Sequence, residues 1–597
     1  MFKTLRIFSE PEHPVLSLAV QASLYTEEQP QRTQFQVLLR HFLSRFFLRG
    51  SGDGQHHSED QSKARVLQIA YAIALPGLCF AIYLFPPYHY PGGRPFWSQA
   101  ADHYFYVMYS FVAVGAVTIF VWDLFLPDLL DVFVLSTLSI ERRTLFAART
   151  AAVGLFLAIF LLGANALGTI FFPAAADLPS LAHHLGAHFA AVTMSGLCVA
   201  GFVLATQASL LVLLGENHFR RISPFLQALA IAALLTTLLM FPLISRFLEA
   251  LLTSGQRAVF YFPPFWFLGI YERLLDGGET LPVFAALGRA GLLATGAMVL
   301  LACAAYPLAY RAKLRNVVEG SGAAGTRSWL AAPMRTALHG TLLRVPQQRG
   351  VFHFIGQTLT RTPRHRVYLA MYGGLGLALV VACALVIHPG RGGARLALSP
   401  EGLRAAVPIV AFWTVAGLRA AFLGPADRRV NWIFRIIHGK PGWDESAATQ
   451  IWVLLWALAL TLASVALACA VAPPELRGRG RLGIQIFAAV SLCLLLTDAF
   501  FLNVKTIPFT AARAPGSMNL AYVLIQYFGL FPPLVLIALG LEDWIAVGVG
   551  HLLIATVAVA AGHLELRRRR KIVLDSLRLL DVDEDEEEFP QRLGLRY

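Results

Sequence analysis

Few residues in this chain have the types and spacing to do chemistry, and the first are histidines. His183, His184 and His188 stand together, and His184 and His188 are one helical turn apart, a spacing a metal ion can bridge. Asp177 is the one acidic residue near them in sequence. They read as surface histidines capping a helix just outside a membrane span, and no metal is expected. No Gly-x-x-x-x-Gly-Lys-Ser/Thr string occurs: Gly439-Lys440-Pro441 lacks both the upstream glycine and the hydroxyl that would hold magnesium. A Gly-x-Ser-x-Gly elbow and a His-Glu-x-x-His pair are also missing, so no catalytic residue and no cofactor are expected on this chain.

The remaining polar candidates lie within apolar stretches, where they are costly to place. Asp123 and Asp498 fall near the ends of two such stretches and Arg419 near the end of a third, while Asn165 and Gln207 lie deeper. The simplest reading has the charges snorkelling to an interface and the amides bonding neighbouring helices.

These residues need elements to hold them, and composition says what the elements are. Of the 597 residues, 56% are apolar and 14% charged, against about 25% charged in an average soluble protein. Apolar stretches of roughly 19 to 28 residues recur along the chain, the length that crosses a hydrocarbon layer of about 30 Å. Lipid offers the backbone no hydrogen-bond partner, so such segments must be helices. The fold class expected is an all-α polytopic membrane protein. Its spans are predicted at 66–86, 104–126, 145–172, 188–214, 225–245, 286–310, 367–388, 405–423, 450–472, 482–502, 518–541 and 544–563.

The net charge of +13 could suggest nucleic acid. With both termini in the cytoplasm, however, roughly 37 of the 49 Lys and Arg residues fall on the cytoplasmic side, so the charge reads as orientation and no nucleic-acid partner is expected. The six cysteines have no paired spacing, and the first thirty residues hold no continuous apolar core, which suits a bacterial inner membrane protein without a cleavable signal.

Several flanking segments are patterned. Within the amino-terminal region 1–65, Phe35, Leu38, Leu39, Phe42, Leu43, Phe46 and Phe47 recur at helical spacing, with Arg40, His41, Arg45 and Arg49 opposite. This predicts an amphipathic elbow helix at 33–48 lying in the membrane interface against lipid headgroups, followed by a flexible link from Gly50 to Ser62. Between the fifth and sixth spans, the stretch from Phe262 to Glu272, including Trp266, is too short to span and too apolar for water, so short re-entrant helices are expected at the outer leaflet. The architecture then repeats. Arg65-Val66 opens one six-span half, 66–310, and Arg366-Val367 opens another, 367–563, with 311–366 as a cytoplasmic bridge. Phe531-Pro532-Pro533 reads as a remnant of the outer segment in the second half, and the acidic tail in 564–597 as solvated chain.

The loop between the second and third spans is the most informative segment. Pro127 can stop the incoming helix, Asp128 and Asp131 follow, and an apolar run leads to Ser139, a plausible cap, with Glu141 in the first turn and then Arg142, Arg143 and Arg149. A short helix here would run directly into a long membrane helix and move it when pushed. At these residues the sequence resembles the permeases of type-2 ABC exporters, whose loop between spans two and three carries a coupling helix. The resemblance extends to the elbow helix, the six-span half and the re-entrant segment. It implies an ATP-driven exporter in which this chain supplies both membrane halves, and a separate ATPase dimer, carrying ATP and Mg, docks beneath Ser136 to Arg143. In the second half Asp427 and Arg428 occupy the corresponding place, although His438-Gly439-Lys440-Pro441-Gly442-Trp443 departs from the pattern. Gly424-Pro425-Ala426-Asp427-Arg428-Arg429 also resembles the loop motif of the major facilitator group, which keeps a twelve-span secondary transporter as the alternative; a membrane-embedded enzyme is the third reading.

Overall fold

The computed structural model describes residues 34–48, 59–91, 93–127, 129–136, 138, 140–176, 180–318, 336, 338–390, 393–422, 442–471, 479–504, 507–510 and 520–579. The chain divides into two compact units: residues 1–67 with 128–159, and 68–127 with 160–597. Among the described residues eleven helices are long and apolar enough to cross a membrane, so the protein is an integral, all-α polytopic membrane protein.

The helices run in order as α1 (Gln34–Leu48), α2 (Glu59–His89), α3 (Phe96–Phe120), α4 (Leu129–Ser136), α5 (Arg142–Ala175) and α6 (Leu181–Leu239). The short helices α7 (Phe241–Arg246), α8 (Leu248–Thr253) and α9 (Pro263–Asp276) lead to α10 (Pro282–Val318). The second half has α11 (Pro346–Arg361), α12 (Pro363–Ala384), α13 (Pro400–Phe422), α14 (Trp443–Val471), α15 (Arg479–Phe500), α16 (Leu520–Ala546) and α17 (Val549–Leu579).

Helix α6 contains two of the predicted spans. Straight, its 59 residues would reach about 88 Å, nearly three bilayer cores. Instead Gly215 breaks it, with φ 71° and ψ 164°, a conformation only glycine adopts readily. The helix doubles back there. Near its start, the rings of His184 and His103 lie 5.5 Å apart, and just past its end the rings of Phe241 and Tyr104 lie 5.9 Å apart. Around the reversal, Glu216 pairs with Lys313 and the Arg220 carbonyl accepts from Arg366. One end of the bundle is therefore basic and the other aromatic.

The short helices expected before the sixth span are present, and α9 is packed inside the protein. Phe265, Phe267, Leu268, Ile270, Tyr271 and Glu272 are all buried in protein. Trp266 is half-buried and its indole N–H donates to the Phe260 carbonyl at 2.7 Å, so it is held by its own segment. Close approach makes this possible: a Cβ on Gly269 would lie 2.6 Å from the Gly288 nitrogen and from the Phe284 carbonyl oxygen of α10. Both are helix backbone and neither can turn aside. Gly269→Ala is accordingly expected to lower stability by about 1–3 kcal/mol, measured as a fall in the thermal unfolding midpoint of the purified protein.

Four expectations from sequence are corrected. The seventh span ends at Ala384, and residues predicted to continue it form an antiparallel hairpin, β1 (Leu385–Gly390) and β2 (Gly393–Leu398), with Ile387 opposite Leu396. Phe531-Pro532-Pro533 lies inside the continuous α16, not in an outer segment. The link from Gly50 to Ser62 is helical from Glu59 onward. The tail expected at 564–597 as solvated chain is helical up to Leu579, where α17 ends.

Helix α11 repeats a theme. In the first unit α1 buries Leu38, Phe42 and Phe46 at four-residue intervals, with Phe46 meeting Phe156 of α5 at 5.0 Å. In the second, α11 buries Val351, Ile355 and Leu359 at the same interval in a cluster that includes Ala448 and Trp452 of α14. Each half thus has an amphipathic helix ahead of its first span, packed on its third.

Candidate functional site

Two places merit description, and the first is the segment between the second and third spans. Asp128 and Ser139 lie outside the described residues, as do Asp177, Gly424 to Pro441, with Asp427 and Arg428, and the acidic run 581–588. Asp131 sits in the first turn of α4. The short helix does not run directly into the long one. Helix α4 ends at Ser136, the Ile140 N–H donates to the Leu138 carbonyl at 2.8 Å, and α5 begins at Arg142. The Leu145 N–H donates to the Glu141 carbonyl at 3.1 Å, which puts Glu141 at the capping position. Glu141, Arg142 and Arg143 are exposed. So are Phe133 (56%), Val134 (58%) and Leu138 (52%), three apolar side chains on or just after an eight-residue helix.

Arg149, expected among the partner-coupling residues, is buried. Its guanidinium lies 4.9 Å from the Phe42 ring centroid, so it clasps α1 to α5 by a cation–π contact. The line Leu38, Phe42, Phe46 is therefore covered by protein, whereas Phe35, Leu39, Leu43 and Arg45 beside it are half-buried. His41 stands on the same helix. Burial, then the Arg45 and Arg149 charges, lower its pKa from the ordinary histidine range. A histidine that resists protonation when docked and accepts it when undocked favours docking at neutral pH, and that preference fades as pH falls below about 6.5. Proteolysis of the α1 segment is expected to speed up on acidification in the wild type and to lose that pH response in His41→Gln.

The second place is at the aromatic end, and sequence reading missed most of it. Asp102 and His103 stand in the first third of α3, His184 and His188 in the first turns of α6, and Tyr271 and Glu272 in the middle of α9. All six are buried, so His184 and His188 are interior groups, not surface caps. Ser180 caps α6, its hydroxyl accepting from the His183 N–H. His103 Nδ1 meets Glu272 Oε1 at 2.7 Å, and its ring stacks on Tyr271 with centroids 4.1 Å apart. The Tyr271 hydroxyl lies 2.7 Å from His184 Nε2 and 3.0 Å from His188 Nδ1. Asp102 is held by Arg94, at 2.7 Å through its Oδ1, and by the Tyr88 hydroxyl at 3.1 Å. Phe172 and Tyr106 close the cluster with ring contacts to His188 at 5.6 and 4.9 Å. Three histidines, two carboxylates and two phenols are thereby brought from separate elements into one buried cluster.

This arrangement can bind and pass protons, because each imidazole faces an oxygen that can share one. One nitrogen of each imidazole is turned to the phenol or the carboxylate, and among the described residues no group of three or more His, Cys, Asp and Glu side chains could hold a metal ion. The amides behave as expected: Asn165 donates to Ser110 Oγ at 2.9 Å and Gln207 to the Trp122 carbonyl at 2.7 Å. Asp123 is exposed and Arg419 is half-buried over the Phe501 ring. Asp498 departs from the snorkelling expectation. It is buried, accepting from Gln450 at 3.2 Å and meeting His563 Nδ1 at 2.5 Å.

Comparison with protein-family models, with curated proteins and with solved structures finds no match, so what the chain does is argued from its own geometry.

Proposed function

We propose that this chain is the membrane permease of an ATP-driven exporter, moved by a separate ATP-binding subunit that grips α4 and the turn after it from the cytoplasm. The observation that carries the reading is the exposure of Phe133, Val134 and Leu138 between the second and third spans, with Arg142 and Arg143 immediately beyond. Exposed apolar side chains next to a charged rim are the make-up of a docking surface. Here that surface leads within a few residues into α5, the third span, so a push on it is delivered to the membrane. The paired grips, α1 on α5 and α11 on α14, support two equivalent halves in one chain. The distribution of Lys and Arg supports cytoplasmic termini in an inner (plasma) membrane.

A second reading has a specific observation behind it. The buried pair His103–Glu272 and the part-buried pair Asp498–His563 are what a proton-driven transporter would use. Purification from native membranes separates the two. The exporter reading expects a stoichiometric ATP-binding subunit and vanadate-sensitive hydrolysis. Transport driven by a proton gradient, with no such subunit, would replace it with the second.

A further inference from the structure

We infer that His184, Tyr271 and His188 form a proton-operated latch that fastens α9 to the fourth span and opens when a proton arrives at His184. The inference stands whichever force drives transport.

The geometry of one hydroxyl carries it. Tyr271 Oη lies within hydrogen-bond distance of both His184 Nε2 and His188 Nδ1, yet a phenol has a single hydrogen to give. At least one imidazole must therefore donate to the oxygen, and the hydroxyl spends its own hydrogen within the trio only if the other accepts it. The other nitrogen of His184, Nδ1, is buried and has no hydrogen-bond partner. A bare lone pair there costs less than a bare N–H, so the favoured order is His184 Nε2–H to Tyr271 Oη, and Tyr271 O–H to His188 Nδ1. That leaves His184 Nδ1 as the atom at which an additional proton binds.

The neighbours make the protonated form a poor fit for the closed arrangement. From α3, Asp102, His103 and Tyr106 face the latch; from α2 and the loop after it come Tyr88 and Arg94. From α9 come Glu272 and, a turn further on, Asp276, whose charge acts on Glu272 and His103, and His183 adjoins on α6 itself. Asp102 is taken by Arg94 and Tyr88, and Glu272 by His103. Both carboxylates are engaged, so an imidazolium at His184 would be a buried cation with a new N–H and nothing to receive it. Water can satisfy that N–H only if α9 moves. Because the opened state binds the extra proton more readily, opening is favoured as pH falls through the ordinary histidine range, about 6.5.

Hydrogen–deuterium exchange on the full chain in nanodiscs of neutral phospholipid tests this through the peptide spanning 263–276. Corrected for intrinsic chemistry, exchange of that peptide should be about tenfold faster near pH 5 than near pH 7.5, while a peptide from α14 stays protected at both. His184→Gln should stay slow at both pH values, and Tyr271→Phe, which keeps the ring but loses the bridge, should be fast at both. Equal protection of wild-type α9 at the two pH values would overturn the latch. So would an undiminished pH response in His184→Gln, or slow exchange in Tyr271→Phe.

Discussion

Phe133→Asp is expected to abolish ATP hydrolysis coupled to the permease while leaving the chain folded and inserted. The side chain is more than half exposed, so the folded protein loses little when it is changed. The loss falls on the docked state. Burying a phenyl ring is worth about 1.5–3 kcal/mol, and pressing a carboxylate into an apolar groove adds a desolvation penalty of at least similar size. Together these correspond to a fall in affinity of at least about a hundredfold. Val134→Asp should act in the same direction, whereas Phe133→Leu should be mild. Substrate-stimulated hydrolysis in the reconstituted complex reads all three. Wild-type hydrolysis by Phe133→Asp would remove α4 from the docking surface.

The largest effect on stability is expected at His103→Leu. Its imidazole and the Glu272 carboxylate are each almost fully buried and face one another at 2.7 Å across 169 residues of sequence. Removing one partner leaves the other buried with nothing to answer it, which in such pairs costs about 3–5 kcal/mol. Replacing both with apolar groups removes the orphan as well as the bond. His103→Leu with Glu272→Met should therefore recover most of the loss, even though it carries one more substitution. Thermal unfolding in detergent measures both. Additive destabilisation in the double variant would mean that the two side chains contribute separately.

How much of this was legible in the sequence depends on the range over which each feature acts. The membrane spans are local: the need to close every backbone hydrogen bond within a segment makes hydropathy sufficient. Even α6, one helix by its hydrogen bonds, reads correctly as two spans because Gly215 and the polar residues from Glu216 to Arg221 interrupt the apolar run. Helix α11 was legible in principle. Val351, Ile355 and Leu359 carry the same four-residue period as Leu38, Phe42 and Phe46, but Gln347, Gln348 and Gln357 dilute the stripe and hide it in a basic bridge. The hairpin β1–β2 was masked by the apolar Leu385, Val386 and Ile387, which extend a helical hydropathy pattern without break.

The aromatic-end cluster is of another kind. His184 and His188 show their helical spacing, but spacing alone cannot say whether the shared face looks outward or inward. Their burial is decided by α9, which arrives some 85 residues later because Gly269 lets it approach α10. Asp102 and His103 gave the one local signal, an acid and a base side by side at the start of an apolar span. Arg149 shows the opposite failure: a basic residue entering the membrane reads as a topology marker, and only the position of Phe42 reveals that it serves packing.

The most direct test of the exporter reading is site-specific photo-crosslinking from residue 133, with the same probe at Tyr261, an exposed residue just before α9, as control. The account predicts that illumination of native membranes joins the probe at 133 to an ATP-binding polypeptide, that vanadate changes the yield, and that the probe at 261 captures none. If position 133 reacts with lipid alone while an ATP-binding subunit is absent from the purified protein, the account of a permease driven from below is contradicted.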